Sequence, residues 1–151
     1  MANFVGGMDR DLVKMFEALQ INTETLVADM VSAGAEVVET NVKAKMPRQL
    51  SKVLTNNVKL SKVYKTPSDD GTNKQVMISG YFVNSRGVVT PAPLVANLFE
   101  YGRSTSKYPK KPFFRACFNK AQIEEAMLKA QEESMKKQAS KYAANWGKLF
   151  R

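Results

Sequence analysis

The 151-residue chain contains no histidine and a single cysteine. The first absence removes the commonest general base and the commonest nitrogen ligand for a metal. The second excludes an internal disulfide framework and any multi-cysteine metal site. Cys117 falls on the apolar side of an expected helix, so it reads as a small buried hydrophobe rather than a reactive thiol. No apolar run reaches the length of about 18 residues that crosses a bilayer. The opening Met1-Ala2-Asn3-Phe4 lacks the charged and apolar regions of a secretory signal. The expectation is a protein of a reducing cytoplasm with no membrane contact.

Acids are also few, 14 against 23 bases, for a net charge of +9. They fall as neighbours on helix surfaces (Glu124-Glu125, Glu132-Glu133) or in the turn Asp69-Asp70. Adjacent helical residues point in different directions, so these pairs do not converge on one substrate atom. The expectation is a protein that is not an enzyme, with no catalytic residue, metal site or cofactor.

What is present is charge of one sign in one place. Residues 1–42 carry seven acids and two bases, a balance of −5, whereas residues 43–151 carry 21 bases and seven acids, a balance of +14. Two stretches contain bases only. The first holds Lys43, Lys45, Arg48, Lys52, Lys59, Lys62 and Lys65; the second holds Arg103, Lys107, Lys110, Lys111, Arg115 and Lys120. Three readings stay open: a surface facing polyanionic DNA, head-to-tail docking of acidic helices on the basic face of the next subunit, and a solvated face that confers solubility.

At 44% hydrophobic residues, the chain supports one globular domain with one core. Residues 1–8 contain Gly6-Gly7 without periodicity and read as a flexible arm. Asp9 caps a short helix to about Leu19. Asn22 or Thr23 caps a long helix that ends at about Met46, before Pro47. Its stripe is Leu26, Val27, Met30, Gly34, Val37, Val38 and Val42, thinned at Ser32-Ala33-Gly34-Ala35 for close packing. A short helical or irregular stretch at 49–54 comes next. Val58, Leu60 and Tyr64 then alternate with lysines along an edge strand, and Thr66 to Asn73 makes a hairpin loop. The returning strand, Lys74 to Val83, places Val76, Ile78 and Phe82 on one side. Met77, Tyr81 and Val83 lie on the other, a pattern consistent with cover on both faces. Val88-Val89-Thr90 makes a third short strand after the turn at Asn84 to Gly87. A short helix runs from Leu94 to Tyr101, and a last helix from near Pro112 to about Trp146, with Phe114, Cys117, Phe118, Ala121 and Leu128 on its apolar stripe. Glu125–Lys129, Glu132–Lys136 and Glu133–Lys137 have favourable i,i+4 spacing on it. The expected fold class is α+β: a small antiparallel sheet of two to three strands packed by a long N-terminal and a long C-terminal helix. The core domain spans residues 9–135, and 136–151 form a C-terminal helical extension.

The densest signal is Leu98-Phe99-Glu100-Tyr101-Gly102-Arg103-Ser104-Thr105-Ser106, succeeded by Pro112-Phe113-Phe114-Arg115-Ala116. Gly102 suits the left-handed closure of a helix at Tyr101, and Pro112 suits a first helical turn. The serines and threonine between them lack the glycines and Lys-Ser/Thr ending of a nucleotide-binding loop. Phe99, Tyr101, Phe113 and Phe114 read as core anchors before they read as base-stacking platforms. Glu100, alone between two aromatics, pairs with Arg103 or Arg115, within the subunit or across an interface. On that reading, Glu100→Arg blocks oligomer formation more than it unfolds the subunit.

In Glu100, Tyr101, Gly102, Ser104, Pro112, Phe113 and Ala116, with Lys43 to Pro47 upstream, the chain resembles the tail-component family of long-tailed double-stranded DNA bacteriophages. These are the neck, tail-completion or head–tail joining proteins. The resemblance covers roughly residues 10 to 135. It departs at Arg48-Gln49-Leu50-Ser51, where the family often has Thr-Gly-x-Leu. The resemblance implies a virion protein that forms a ring, a hexamer by family likeness, at the head-proximal end of the tail. Its implied partners are further copies of itself, the head connector or stopper, and tail tube or terminator proteins, with double-stranded DNA passing through. The candidate interface residues are then Glu100, Tyr101, Gly102, Arg103, Pro112, Phe113, Arg115, Trp146 and Phe150. The candidate DNA-facing bases are Lys43, Lys45, Arg48, Lys52, Lys59, Lys62, Lys65, Lys107, Lys110 and Lys111. The other reading is a small basic protein that binds nucleic acid without regard to sequence.

Overall fold

The computed structural model describes Glu17 and residues 21–103 and 109–149, with the side chains of 145–149 excepted. The expected arm at 1–8 and the helix from Asp9 to Leu19 lie outside the described residues, Glu17 apart. Helix α1, Thr23–Lys45, starts where the Asn22 side chain accepts the Thr25 N–H at 3.1 Å. Glu24 complements the first turn and Lys43 and Lys45 the last. Met46 is extended, as the residue before Pro47 must be, and the helix stops there. Helix α2, Arg48–Leu54, begins at once and buries Leu50 and Leu54.

The sheet region consists of three two-stranded antiparallel pairings. Strand β1 (Val58–Leu60) pairs with β4 (Val76–Ile78), β2 (Tyr64–Lys65) with β3 (Thr72–Asn73), and β5 (Tyr81–Val83) with β6 (Val89–Pro91). The two long strands expected from alternation are therefore broken. Ser61 interrupts the first: its hydroxyl accepts the Gln75 N–H at 2.8 Å, and its own N–H donates to Gln75 at 2.9 Å. The chain turns again at Ser79-Gly80, where the Ala92 N–H donates to the Gly80 carbonyl. That turn hands β5 to a new partner. The Asp69 carboxylate caps the intervening hairpin by accepting the Gly71 N–H at 3.0 Å.

Helix α3, Ala92–Tyr101, returns to the core. A 3-10 turn, Arg115–Cys117, then precedes helix α4, Lys120–Leu149. α4 lies antiparallel to α1, as the paired contacts show: Asn22 with Gln138, Asp29 with Ser134 at 2.7 Å, and Asn41 with Gln122 at 3.0 Å. The thin middle of α1 meets α4 closely. A Cβ placed on Gly34 would lie 3.2 Å from both Ile123 and Met127. The core gathers Val38, Val42 and Met46 from α1 with Leu50, Leu54, Val58, Ala92, Ala96, Phe113 and Cys117, and Val76, Ile78 and Phe82 pack against it.

Three expectations about the last helix are corrected. It begins at Lys120 rather than near Pro112, because Phe118 and Asn119 break the spiral after the 3-10 turn. The helical phase resets there, so Phe118, Ala121 and Leu128 face outward while Ile123, Met127 and Ser134 face α1. Among the described residues, the ion pairs are Lys43–Glu39, Lys65–Glu24 and Lys120–Glu124. The three pairs expected on α4 do not close.

Candidate functional site

The block singled out in the sequence is built on α3. Pro91 and Pro93 pre-set the first turn, and spacing of four buries Ala92, Ala96 and Glu100 on one stripe. Leu94, Leu98 and Tyr101 form the opposite, exposed stripe. The helix closes at Gly102, whose N–H donates to Leu98. Its φ of +76 matches the expectation from glycine, but its ψ of −177 is extended rather than helical left-handed. That region of the backbone map belongs essentially to glycine.

The Glu100 carboxylate organises the segment after the loop. One oxygen accepts the N–H of Phe113 at 2.8 Å and of Phe114 at 3.0 Å, and the other accepts the N–H of Arg115 at 3.2 Å. Pro112 has no N–H, so the donors begin at the next residue. Glu100 is 8% exposed. Burial pushes its carboxyl up, but the amides of Phe114, Phe113 and Arg115 and the Arg115 charge outweigh that and hold it below the usual carboxylate range. A second tie joins the Lys111 N–H to the Phe99 carbonyl at 2.8 Å. The C-terminal end of the connecting loop is thereby fixed to α3.

This arrangement corrects the expected partner of Glu100. Arg115 supplies its backbone amide, not its guanidinium, which bonds the Tyr101 hydroxyl at 2.7 Å and lies 4.9 Å from the Tyr101 ring centre. Glu100 and Phe113, both in the interface set, are buried inside the subunit and present no surface to a neighbour. Tyr101, Arg103, Pro112 and Arg115 are exposed, and Gly102 is half-buried. Trp146 lies on α4 with its side chain outside the described residues, as is all of Phe150. Cys117 is buried and its thiol donates to the Phe113 carbonyl at 2.7 Å. Burial raises its pKa; Lys45 opposes the shift and Glu100 adds to it.

The bases separate into those already engaged and those not. Lys43 and Lys65 are ion-paired, and Lys45 donates to the Ala116 carbonyl at 3.0 Å. Lys59, Lys62, Lys110 and Arg103 are exposed, and Lys107 lies outside the described residues. Arg48, Lys52 and Lys111 come together around a cavity of about 330 Å³, beside Pro47 and Gln49. The sequence placed Arg48 and Lys52 in the first basic stretch and Lys111 in the second. Their one legible clue was the i,i+4 spacing of Arg48 and Lys52.

Two further surfaces escaped the sequence. Cross-strand register puts Tyr81, Val83, Val89 and Pro91 on one face of the β5–β6 hairpin, and Phe82 packs to the core from the other. The face expected to be covered is open: Tyr81 is 70%, Val83 62% and Val89 63% exposed. Between α1 and α4 runs a groove of about 690 Å³ edged by Glu36, Glu125 and Glu133. Among the described residues, no group of acids or cysteine is arranged to hold a metal ion, and no helix is long and apolar enough to cross a membrane. No protein-family model, curated protein or solved structure matches the chain.

Proposed function

We propose that the protein is a structural virion component of a phage neck. Copies of it form a ring at the head-proximal end of the tail, completing the tail and joining it to the head connector. The observation that carries the assembly reading is the open hairpin face. Tyr81, Val83 and Val89 are apolar, mutually aligned and left uncovered by the subunit's own core. Such a face has low free energy when a neighbour covers it. The order of Glu100, Tyr101, Gly102, Ser104, Pro112, Phe113 and Ala116 supports the virion setting by resemblance. The function is then geometric. The Glu100 tie holds α3 and the 113–115 segment at fixed spacing, so the exposed Tyr101 and Arg115 face the next component in a defined orientation.

The second reading, a sequence-independent nucleic-acid binder acting as a monomer or dimer, is favoured by the convergence of Arg48, Lys52 and Lys111. Light scattering run beside an anisotropy titration with a duplex at two salt concentrations separates the two. A closed multimer with weak affinity fits the neck protein, and tight binding by a lone subunit refutes it.

A further inference from the structure

Most lysines near α1 already have a partner in the subunit, which makes the exceptions informative. Arg48 and Lys52 stand one turn apart on α2, and Lys111 reaches the same cavity from the other side of the chain. Among the described residues, none of the three side chains has a carboxylate within ion-pair distance, although Lys43, Lys65 and Lys120 each find one. The backbone beneath them is set. Pro47 precedes Arg48 and accepts two amides of α2, from Leu50 and Ser51, each at 2.8 Å. Lys111 is fixed through its N–H to Phe99 and is followed by Pro112. Three exposed bases thus line one concavity with no carboxylate of the described residues paired to them, which leaves their charges available to an external anion.

We infer that Arg48, Lys52 and Lys111 form a subsite for the phosphodiester backbone of duplex DNA. A guanidinium fork and two ammonium groups call for several anionic oxygens at once. A run of backbone phosphates supplies them, whereas a single carboxylate from a neighbouring protein offers two. The contact reads no base and weakens steeply with salt, as suits a polymer that must slide past. The inference deepens the neck reading by naming the surface that meets the DNA, and it rests on that reading for the duplex as ligand.

The test compares the full chain with Arg48→Gln/Lys52→Gln/Lys111→Gln and with the charge-matched control Lys136→Gln/Lys137→Gln/Lys141→Gln, whose lysines are exposed on α4. Each is titrated against a fluorescent duplex of mixed sequence over a range of salt, with circular dichroism to confirm folding and light scattering to record mass. The subsite triple is expected to lose affinity about tenfold or more at low salt. The slope of log affinity against log salt should become shallower by about two to three units, and the control should keep the parent slope. Equal losses in both triples mean a response to net charge alone and overturn the subsite. An unchanged slope with a dissociated multimer shows instead that the three bases engage an acidic protein face, and also overturns it. A lone subunit that keeps the subsite-dependent slope sinks the neck reading while leaving the subsite standing.

Discussion

Glu100 and Phe113, 13 residues apart, are joined by a 2.8 Å hydrogen bond in which a buried carboxylate accepts a backbone amide. Phe114 and Arg115 donate to the same carboxylate. Glu100→Ala should therefore destabilise the subunit itself, by about 3 kcal/mol, since it strands amides that have no other acceptor. Glu100→Gln should cost about 1–2 kcal/mol, because a neutral amide is the weaker acceptor and brings donors of its own. Glu100→Arg buries a cation against those amides and should unfold the subunit before it affects assembly. The folded-state pKa of Glu100 is depressed, so its stabilisation is full above the unfolded value of about 4.3 and fades as pH falls below it. Urea denaturation at neutral and acid pH should show the gap between parent and Glu100→Gln narrowing in acid. A gap independent of pH contradicts the assignment.

Gly102 carries φ +76 and ψ −177, where any side chain is strained. Gly102→Ala should lose about 1–3 kcal/mol, measurable as a lowered denaturation midpoint with unchanged slope. A neutral or stabilising effect would mean that the helix end relaxes freely.

Gly34 tests the α1–α4 contact. Its added Cβ would sit 3.2 Å from Ile123 and Met127. Gly34→Leu should overpack this crossing and cost about 1–3 kcal/mol. Gly34→Ala should stay within about 1 kcal/mol of the parent, because Met127 is flexible and alanine favours the helix. Thermal melts of both variants distinguish this close approach from a loose one, in which leucine is tolerated.

Cys117 is buried, hydrogen-bonded to Phe113 and shifted upward in pKa. At mildly alkaline pH, a thiol reagent should label it only as fast as the protein opens, and urea should accelerate labelling sharply. Rapid stoichiometric labelling of the native protein contradicts the burial.

The elements that the sequence announced are those set by local chemistry. Asn22 and Pro47 bound α1, Asp69 and Gly71 shape the hairpin, and Gly102 ends α3. Where long-range contacts decide, pattern alone misleads. Pro112 looks like the start of a long helix, yet Glu100 draws the next three amides into a separate turn. Alternation in Tyr81-Phe82-Val83 reveals two faces but not whether anything covers the second. Arg48 and Lys111 meet only because the Lys111 backbone is tied to Phe99, a bond that spacing does not encode. The burial of Glu100 was hidden for the same reason.

The most direct measurement is the native mass of the purified chain, by light scattering across a range of concentrations, beside that of Tyr81→Glu/Val89→Glu. The expected result is a discrete multiple of the 16.9 kDa subunit that falls to a single subunit in the variant, with an unchanged circular dichroism spectrum. A lone subunit at every concentration, or a multimer indifferent to both substitutions, would contradict it.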